Sequence, residues 1–286
     1  MTTALVTGAR GVIGRVLVRQ LADDGIDVRP FDGDVRDAEA VRRAAEGVEV
    51  IFHLAAVVHA AGASARPDSD YEAINVGGTE NVAAAGPRVV YFSSINVYGP
   101  THGAIVDEST ECRPEGAYAV TKRKAEIVVL RLGERGTVLR LASVYGREMK
   151  GNYPRLVNAI RRGRFAGIGD GAARKTMVYE TDVVRAAILA ASSQAAGGEI
   201  FNVTDGTTHT IAEINAAIAE AVGRRPPRLR VPASLARAAA RVVGYREAVD
   251  KYLEDFAVSG EKIQRVLGFT PRVDLRSGWR MACAPR

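Results

Sequence analysis

A tyrosine and a lysine four residues apart have the types and spacing to move a proton. Tyr118 and Lys122 lie early in a pattern that predicts a long helix from Ala117 to Leu132, where side chains at i and i+4 share a face. A nearby ammonium would stabilise the tyrosine phenolate and lower its pKa from about 10. Ser94, just after a predicted strand, could hydrogen-bond the same substrate oxygen. Such a Tyr/Lys pair also arises by chance, so its meaning depends on the other motifs.

Three glycines near the amino terminus form the second motif. Gly8, Gly11 and Gly14 follow a predicted strand, Ala4 to Thr7, and open a predicted helix, Gly11 to Asp24. Glycines at these spacings allow a tight turn, close approach of the backbone to a pyrophosphate, and packing of helix on strand. The helix N-terminus then offers unpaired N–H groups to the phosphates. The alternative is an ordinary turn, which the strand before and the helix after make less favourable.

The second predicted strand ends in an acid that bears on cofactor choice. Asp32 lies 18 residues beyond Gly14, where a carboxylate accepts hydrogen bonds from ribose hydroxyls and repels a 2′-phosphate. Arg10, inside the glycine turn, could instead bind a 2′-phosphate. The sequence therefore favours NAD and leaves NADP open.

Strands and helices alternate along the first half of the chain. This alternation predicts an α/β fold with a doubly wound parallel sheet. We expect a dinucleotide-binding domain over residues 1–146, to which 176–203 return, and a smaller substrate-binding lobe over 147–175 and 204–286. Gly33-Asp34-Val35 follow Asp32 at once, so one sheet element is expected to be missing or very short.

Five motifs in order carry a family resemblance. They are the glycine turn, His53-Leu54-Ala55-Ala56, Asn75 in Asn-Val-Gly-Gly-Thr, the Ser93–Gly99 segment, and Tyr118 with Lys122. In this order and spacing, the chain resembles the extended short-chain dehydrogenase/reductases, the group of nucleotide-sugar epimerases and dehydratases. The resemblance covers nearly the whole chain and implies a Rossmann domain with a small C-terminal substrate lobe.

The resemblance also implies roles for individual residues. Ser94, Tyr118 and Lys122 would be catalytic. The implied cofactor-binding residues are Gly8, Arg10, Gly11, Val12, Ile13, Gly14, Asp32, Asp34, Val35, Leu54, Ala55, Ala56, Asn75, Ser93, Tyr118 and Lys122. The implied substrate-binding residues are Ser94, Asn96, Ser143, Asn152, Arg174 and Lys175. A homodimer formed through the tyrosine-bearing helix and the helix of Asn75 is expected, with Ile127, Val128 and Leu132 as candidate contacts.

The reaction expected from the resemblance is 4-epimerisation of a nucleotide-diphosphate sugar, with NAD as cofactor and no metal. Dehydratases of the group carry an acidic pair where this chain has Ile95 and Asn96, which disfavours dehydration. An NAD(P)H-dependent reductase of a nucleotide 4-keto-sugar needs the same catalytic residues and stays open. A non-catalytic dinucleotide sensor is disfavoured by the intact Ser94, Tyr118 and Lys122.

Composition and charge limit the remaining classes. The net charge of +6 and pI of about 9.5 raise the question of nucleic acid, but six of the 39 basic residues are lysine and the rest are arginine, without a long basic run. We therefore expect no nucleic-acid partner. No apolar run approaches the roughly 20 residues of a membrane span, so no membrane partner is expected. Two cysteines form neither a disulfide framework nor a metal-site spacing, which fits the cytoplasm.

Overall fold

The computed structural model describes residues 1–58, 67–149, 151–227, 229–242 and 246–285. The first part of the chain alternates strand and helix, as expected. Its elements are β1 (Thr3–Thr7), α1 (Val12–Asp23), β2 (Asp27–Phe31), α2 (Ala38–Ala44), β3 (Val50–His53), α3 (Asp68–Tyr71), a π-helical segment (Glu72–Gly77), α4 (Gly78–Ala84), β4 (Arg88–Ser94), a 3₁₀ turn (Ile95–Tyr98), β5 (Ile105–Val106), α5 (Gly116–Leu130), a 3₁₀ turn (Gly133–Arg135), β6 (Gly136–Leu141) and β7 (Ser143–Tyr145).

The second part mixes short strands with helices. Its elements are α6 (Asn152–Arg161), β8 (Gly167–Ile168), β9 (Arg174–Tyr179), α7 (Glu180–Ser192), a 3₁₀ turn (Gln194–Ala196), β10 (Ile200–Val203), β11 (Thr208–Thr210), α8 (Ile211–Ala221), β12 (Arg230–Val231), α9 (Ala233–Val242), α10 (Arg246–Leu253), β13 (Ala257–Val258), α11 (Glu261–Leu267) and α12 (Leu275–Cys283). No helix within the described ranges is both long and apolar enough to cross a bilayer.

Six parallel strands form the central sheet in the order β10-β6-β4-β3-β1-β2. From β1 the chain passes outward to β2 and then crosses back to β3 on the other side, so the strand order reverses beside β1. Ligands of open α/β sheets bind outside the carboxyl ends of the strands at such a point. The doubly wound α/β prediction is confirmed. Among the described residues the sheet ends at β2, and the chain after Asp32 leads directly into the short α2.

Apolar side chains form separate cores on the two faces of the sheet and in the second lobe. One face packs against α1 and α7 through Leu17 and Val183, and the opposite face packs through Val41 and Ala125. In the second lobe, Trp279 is fully buried.

Segments from the end of the chain return to the larger core. Val258, Ile263 and Phe269 belong to the core of the sheet, although they fall in the range expected for the substrate lobe. The division into a dinucleotide-binding domain, 1–146 with 176–203, and a substrate-binding lobe, 147–175 with 204–286, stays a prediction.

Candidate active site

The glycine turn leaves no space for side chains. Gly8 follows β1 at φ +69°, a conformation that L side chains rarely adopt, and a Cβ there would lie 2.7 Å from the backbone nitrogen of Ala55. A Cβ on Gly14 would collide with the Gly8 carbonyl oxygen, so α1 packs directly against the turn. The two contacts explain why glycine is needed at both positions.

The N-terminus of α1 is suited to a pyrophosphate. Gly11 caps the helix without a side-chain hydrogen bond, and the first turn, which begins with Val12, Ile13 and Gly14, contains no acidic residue. The first N–H groups of such a helix are orphan donors, and the helix dipole favours an anion beside them. A groove of about 440 Å³ continues from the turn along Phe31, Asp32, Gly33, Asp34, Val35 and Ala55. These features fit a dinucleotide.

Arg10 and Asp32, which suggested opposite cofactor preferences, bind each other. The Arg10 guanidinium donates from Nε to Asp32 Oδ1 at 2.8 Å and from its terminal nitrogen to the Asp32 carbonyl oxygen at 3.1 Å. Both side chains are largely exposed at the groove. The pair offsets the charge of Asp32, so this carboxylate alone does not exclude a 2′-phosphate. This contact leaves NADP open, as the sequence did.

Asp34 and Val35 close the groove on its other side. The Arg36 side chain and backbone nitrogen both donate to the Asp34 carboxylate, and these hydrogen bonds lower the pKa of Asp34. Val35 is buried against Gly78, and its carbonyl oxygen accepts from Asn81 Nδ2 at 2.9 Å. These contacts of Val35 hold the segment of Asp34 and Val35 against α4.

Ser94 and Tyr118 meet above the end of the sheet. Ser94 is the last residue of β4, and its Oγ accepts from the backbone nitrogen of Asn96 at 3.2 Å. Burial raises the pKa of the Tyr118 phenol, and a hydrogen bond with Ser94 opposes that rise. The net direction is upward, so proton removal from Tyr118 needs a stabilising positive charge nearby.

Lys122 lies beneath this pair, in the protein interior. Its side chain is 3% exposed, and Nζ donates to the Phe92 carbonyl oxygen at 2.5 Å. The ammonium also stands 4.5 Å from the centre of the Tyr91 ring. Burial lowers the pKa of Lys122 to about 7, against an opposing effect from the charge of Glu126. These contacts of Nζ are with Phe92 and Tyr91, and the lowering of the Tyr118 pKa by Lys122 stays a prediction.

Asn75 positions the loop after β3. Its Oδ1 accepts from Val57 N at 2.7 Å, and its Nδ2 donates to the Val57 carbonyl oxygen and to Thr121 Oγ1. The residue is buried within the π-helical segment, a distortion that often marks functional sites. Both the oxygen and the nitrogen of the Asn75 amide therefore form hydrogen bonds within the protein. These bonds join the loop that contains Ala55 and Ala56 to α5.

Ser93, expected to contact the cofactor, is also directed inward. Its Oγ donates to Glu126 Oε1 at 2.6 Å. The same carboxylate accepts two bonds from Arg140, at 2.9 and 2.8 Å, and one from Arg123 at 2.9 Å. Glu126 and Arg140 are almost completely buried. Sequence reasoning missed this network, although Glu126 repeats the four-residue spacing of Tyr118 and Lys122.

A cleft of about 1150 Å³ extends from Tyr118 into the second lobe. Of the expected substrate residues, it is lined by Asn96, Ser143, Asn152 and Lys175. Lys175 Nζ donates to the Lys251 carbonyl oxygen at 2.6 Å, and burial lowers its pKa to about 8. Much of the remaining wall is apolar, including Leu156, Phe165 and Ile214.

Arg174 does not line this cleft. Its backbone nitrogen donates to Asp255 Oδ1 at 2.6 Å, its guanidinium bonds the Gly103 carbonyl oxygen, and it pairs with Asp255 Oδ2 at 3.4 Å. Alternation along β9 places Arg174 and Lys175 on opposite faces, so only one of the two reaches the cleft. The family resemblance implied a substrate contact for both residues and did not take the alternation along a strand into account.

Comparison with known proteins agrees with this arrangement. Residues 4–204 match the model of the NAD dependent epimerase/dehydratase family. The chain belongs to this family. The recognised family and the NAD cofactor class are thereby confirmed, as is the assignment to an enzyme of the epimerase and dehydrogenase type.

Relatives within the family differ in their named activities. A ketoreductase of a farnesyl dihydroquinoline oxide from Stigmatella aurantiaca is 28% identical over 96% of this chain and 93% of its own. An undecaprenol-linked N-acetylglucosaminyl 4-epimerase from Escherichia coli O157:H7 is 28% identical over 80% and 75%. The solved MoeE5 complex with UDP-glucuronic acid and NAD is 28% identical over 98% and 97%, with a TM-score of 0.80. Family membership therefore does not fix the substrate.

Proposed function

We propose that the protein is an NAD-dependent nucleotide-sugar epimerase of the 4-epimerase type. The observation that carries the proposal is the position of Tyr118, which stands with Ser94 at the point where the large cleft meets the end of the sheet that bears the glycine turn. The complex of MoeE5 with a UDP-sugar and NAD, at 28% identity over nearly the whole chain, supports the substrate class.

The proposed chemistry needs one proton carrier. Tyr118 takes the proton of a sugar hydroxyl and later returns it, while Ser94 hydrogen-bonds the same oxygen. Bound NAD supplies a hydride acceptor and, when oxidised, a positive charge. Lys122, buried beneath, adds charge when protonated, and its pKa of about 7 makes that state accessible near neutral pH. Asn152 and Lys175, on the cleft wall, are proposed to bind the diphosphate.

Replacing Tyr118 tests the chemistry. Tyr118→Phe removes the proton carrier, and we expect turnover to fall by at least about a hundredfold. NAD binding, measured by isothermal titration, should stay within a few fold of wild type. Epimerisation of UDP-glucose and UDP-glucuronic acid is followed by NMR of the sugar C4 proton. Unchanged turnover in Tyr118→Phe would overturn the proposed role.

A reductase is the second candidate, favoured by the apolar wall of the cleft and by the similarity to the ketoreductase. The two reactions differ in cofactor balance, since an epimerase returns its hydride and a reductase consumes NADH or NADPH. Denaturing the purified protein and identifying any released nucleotide separates them. Tightly held NAD with no net change in nicotinamide absorbance supports the epimerase. Stoichiometric NAD(P)H oxidation with a keto substrate supports the reductase.

A further inference from the structure

The positive charge of the chain is concentrated in two segments. Residues 151–169 contain four arginines and residues 222–246 contain seven, with no Asp, Glu or Lys in either. These segments contribute eleven positive charges, and because the whole chain carries +6, the remaining residues have a net charge of −5. The basic pI therefore comes from one part of the molecule.

Folding brings the two segments together. β12 pairs with β8 in parallel, with Arg230 opposite Gly167. Arg224 Nε donates to the Arg161 carbonyl oxygen at 3.0 Å, and the Arg230 guanidinium bonds the Asp170 carbonyl oxygen. We call these two joined segments the arginine surface; their exposed arginines outside the cleft are Arg161, Arg162, Arg164, Arg224, Arg225, Arg230, Arg237 and Arg241. The Asp250 carboxylate offsets the charge of Arg237, with 2.8 Å between Asp250 Oδ1 and Arg237 Nε.

Two exposed leucines lie in the second of these segments. Leu229 is 79% exposed and Leu235 is 61% exposed, and they flank Arg230 and the start of α9. Among the described residues, Leu229 is the most exposed large hydrophobic side chain. An exposed apolar side chain among cations has no use in binding phosphate alone. It contributes where the partner offers both anionic groups and an apolar layer beneath them.

We propose that the arginine surface, with Leu229 and Leu235, docks the protein onto an anionic lipid bilayer. The arginines bind lipid phosphates, each contributing roughly 1 kcal/mol close to the bilayer. The leucines enter the boundary between headgroups and acyl chains. The interaction is peripheral, and it changes the expectation from composition that no membrane is a partner. It does not depend on the proposed chemistry at Tyr118.

The surface adjoins the catalytic cleft. Tyr153 and Leu156 of α6, with Phe165 and Ile168 around β8, line the cleft, whereas the arginines at the end of α6 and beyond it face solvent. Docking would therefore hold the second lobe against the bilayer with the cleft directly behind it.

Vesicle co-sedimentation of the full chain tests the proposal. Vesicles of phosphatidylcholine with roughly one-third phosphatidylglycerol should bind the protein, and pure phosphatidylcholine should not. Binding should weaken steeply as salt rises, because the attraction is screened. Arg161→Gln/Arg162→Gln/Arg225→Gln should weaken binding on the order of a hundredfold. The matched control, Arg19→Gln/Arg131→Gln/Arg265→Gln, removes three exposed arginines elsewhere and should change it little.

A second variant separates lipid from nucleic acid. Leu229→Gln/Leu235→Gln keeps every charge and should weaken vesicle binding at least about tenfold. Thermal melting of each variant checks that the fold is retained. Failure to bind the anionic vesicles would overturn the proposal. So would salt-dependent binding to random duplex DNA that exceeds vesicle binding and does not respond to the leucine changes.

Discussion

At the scale of single residues, the site is built from groups that are costly to bury. Lys122 is enclosed with a carbonyl oxygen, an aromatic ring and a neighbouring glutamate, and burial lowers its pKa from 10.5 to about 7. His53 is held between Thr7 and Thr79, and burial lowers its pKa to about 3, which keeps it neutral. His53 is therefore a structural residue that joins β1 to α4.

The lowered pKa of Lys122 predicts a pH-dependent cost to folding. Below about pH 7, Lys122 is charged in both the folded and the unfolded protein, and folding bears the full cost of burying that charge. Between about pH 7 and 10.5, Lys122 is charged only in the unfolded protein, so the free energy of unfolding rises with pH. Lys122→Met removes the cost. We expect this variant to be more stable than the wild type at pH 6.5, by at most about 5 kcal/mol, with the difference vanishing towards pH 10.5.

Urea unfolding at several pH values measures this difference, and turnover should be lost in the same variant. A Lys122→Met protein that is less stable than the wild type by the same amount at every pH would contradict the prediction.

At the scale of elements, a buried ion pair ties α5 to the sheet, beside the hydrogen bond from Lys122 to the Phe92 carbonyl oxygen. Tyr118, Lys122 and Glu126 follow one another at four-residue spacing, and Glu126 binds Ser93 of β4 and Arg140 of β6. Ser93 precedes Ser94, so the pair fixes the helix that carries Tyr118 relative to the strand that carries Ser94. The Arg140 guanidinium carbon also lies over the Tyr98 ring, 4.7 Å from its centre.

Breaking the pair on one side should be severe. Glu126→Leu leaves the Arg140 charge buried without its partner, and we expect a loss of about 3–5 kcal/mol in the free energy of unfolding. Glu126→Leu/Arg140→Met removes both charges and should recover most of that loss, as measured by urea unfolding. If Glu126→Leu alone is as stable as the wild type, the Glu126–Arg140 ion pair does not hold α5 to the sheet.

At the scale of the whole molecule, charge and apolar surface are unevenly distributed. The arginine surface lies around β8, β12 and α9, whereas α5 packs on the six-stranded sheet and leaves its other face exposed. There, Ile127 is 40% exposed, and Lys124 pairs with Glu72 of the π-helical segment at 2.9 Å. Leu132, another candidate dimer contact, packs partly against the core instead.

A homodimer through α5 stays a prediction. Small-angle scattering should give the mass of two 30.5 kDa chains, and Ile127→Asp should give one, because a carboxylate at the interface would be desolvated without a partner. Leu235→Asp, on the other lobe, is the matched control and should stay dimeric. A wild-type mass of one chain would contradict the prediction.

The sequence by itself determined the features that depend on neighbours along the chain. The glycine turn, the uncapped α1 and the shared face of Tyr118 and Lys122 follow from local spacing, because backbone conformation and helical periodicity are set within a few residues. The doubly wound parallel sheet follows from the alternation of strands and helices, because parallel strands need a crossover connection and helices supply it.

Only the tertiary structure decided which distant side chains meet. It paired Arg10 with Asp32, turned Arg174 to Asp255, enclosed Ser93 with Glu126, and assembled separate arginines into one surface. Such contacts depend on crossings between elements tens of residues apart, and on burial, which sets the cost of each charge. The composition alone does not show where the arginines responsible for the high pI lie, and the structure gathers many of them around β8, β12 and α9.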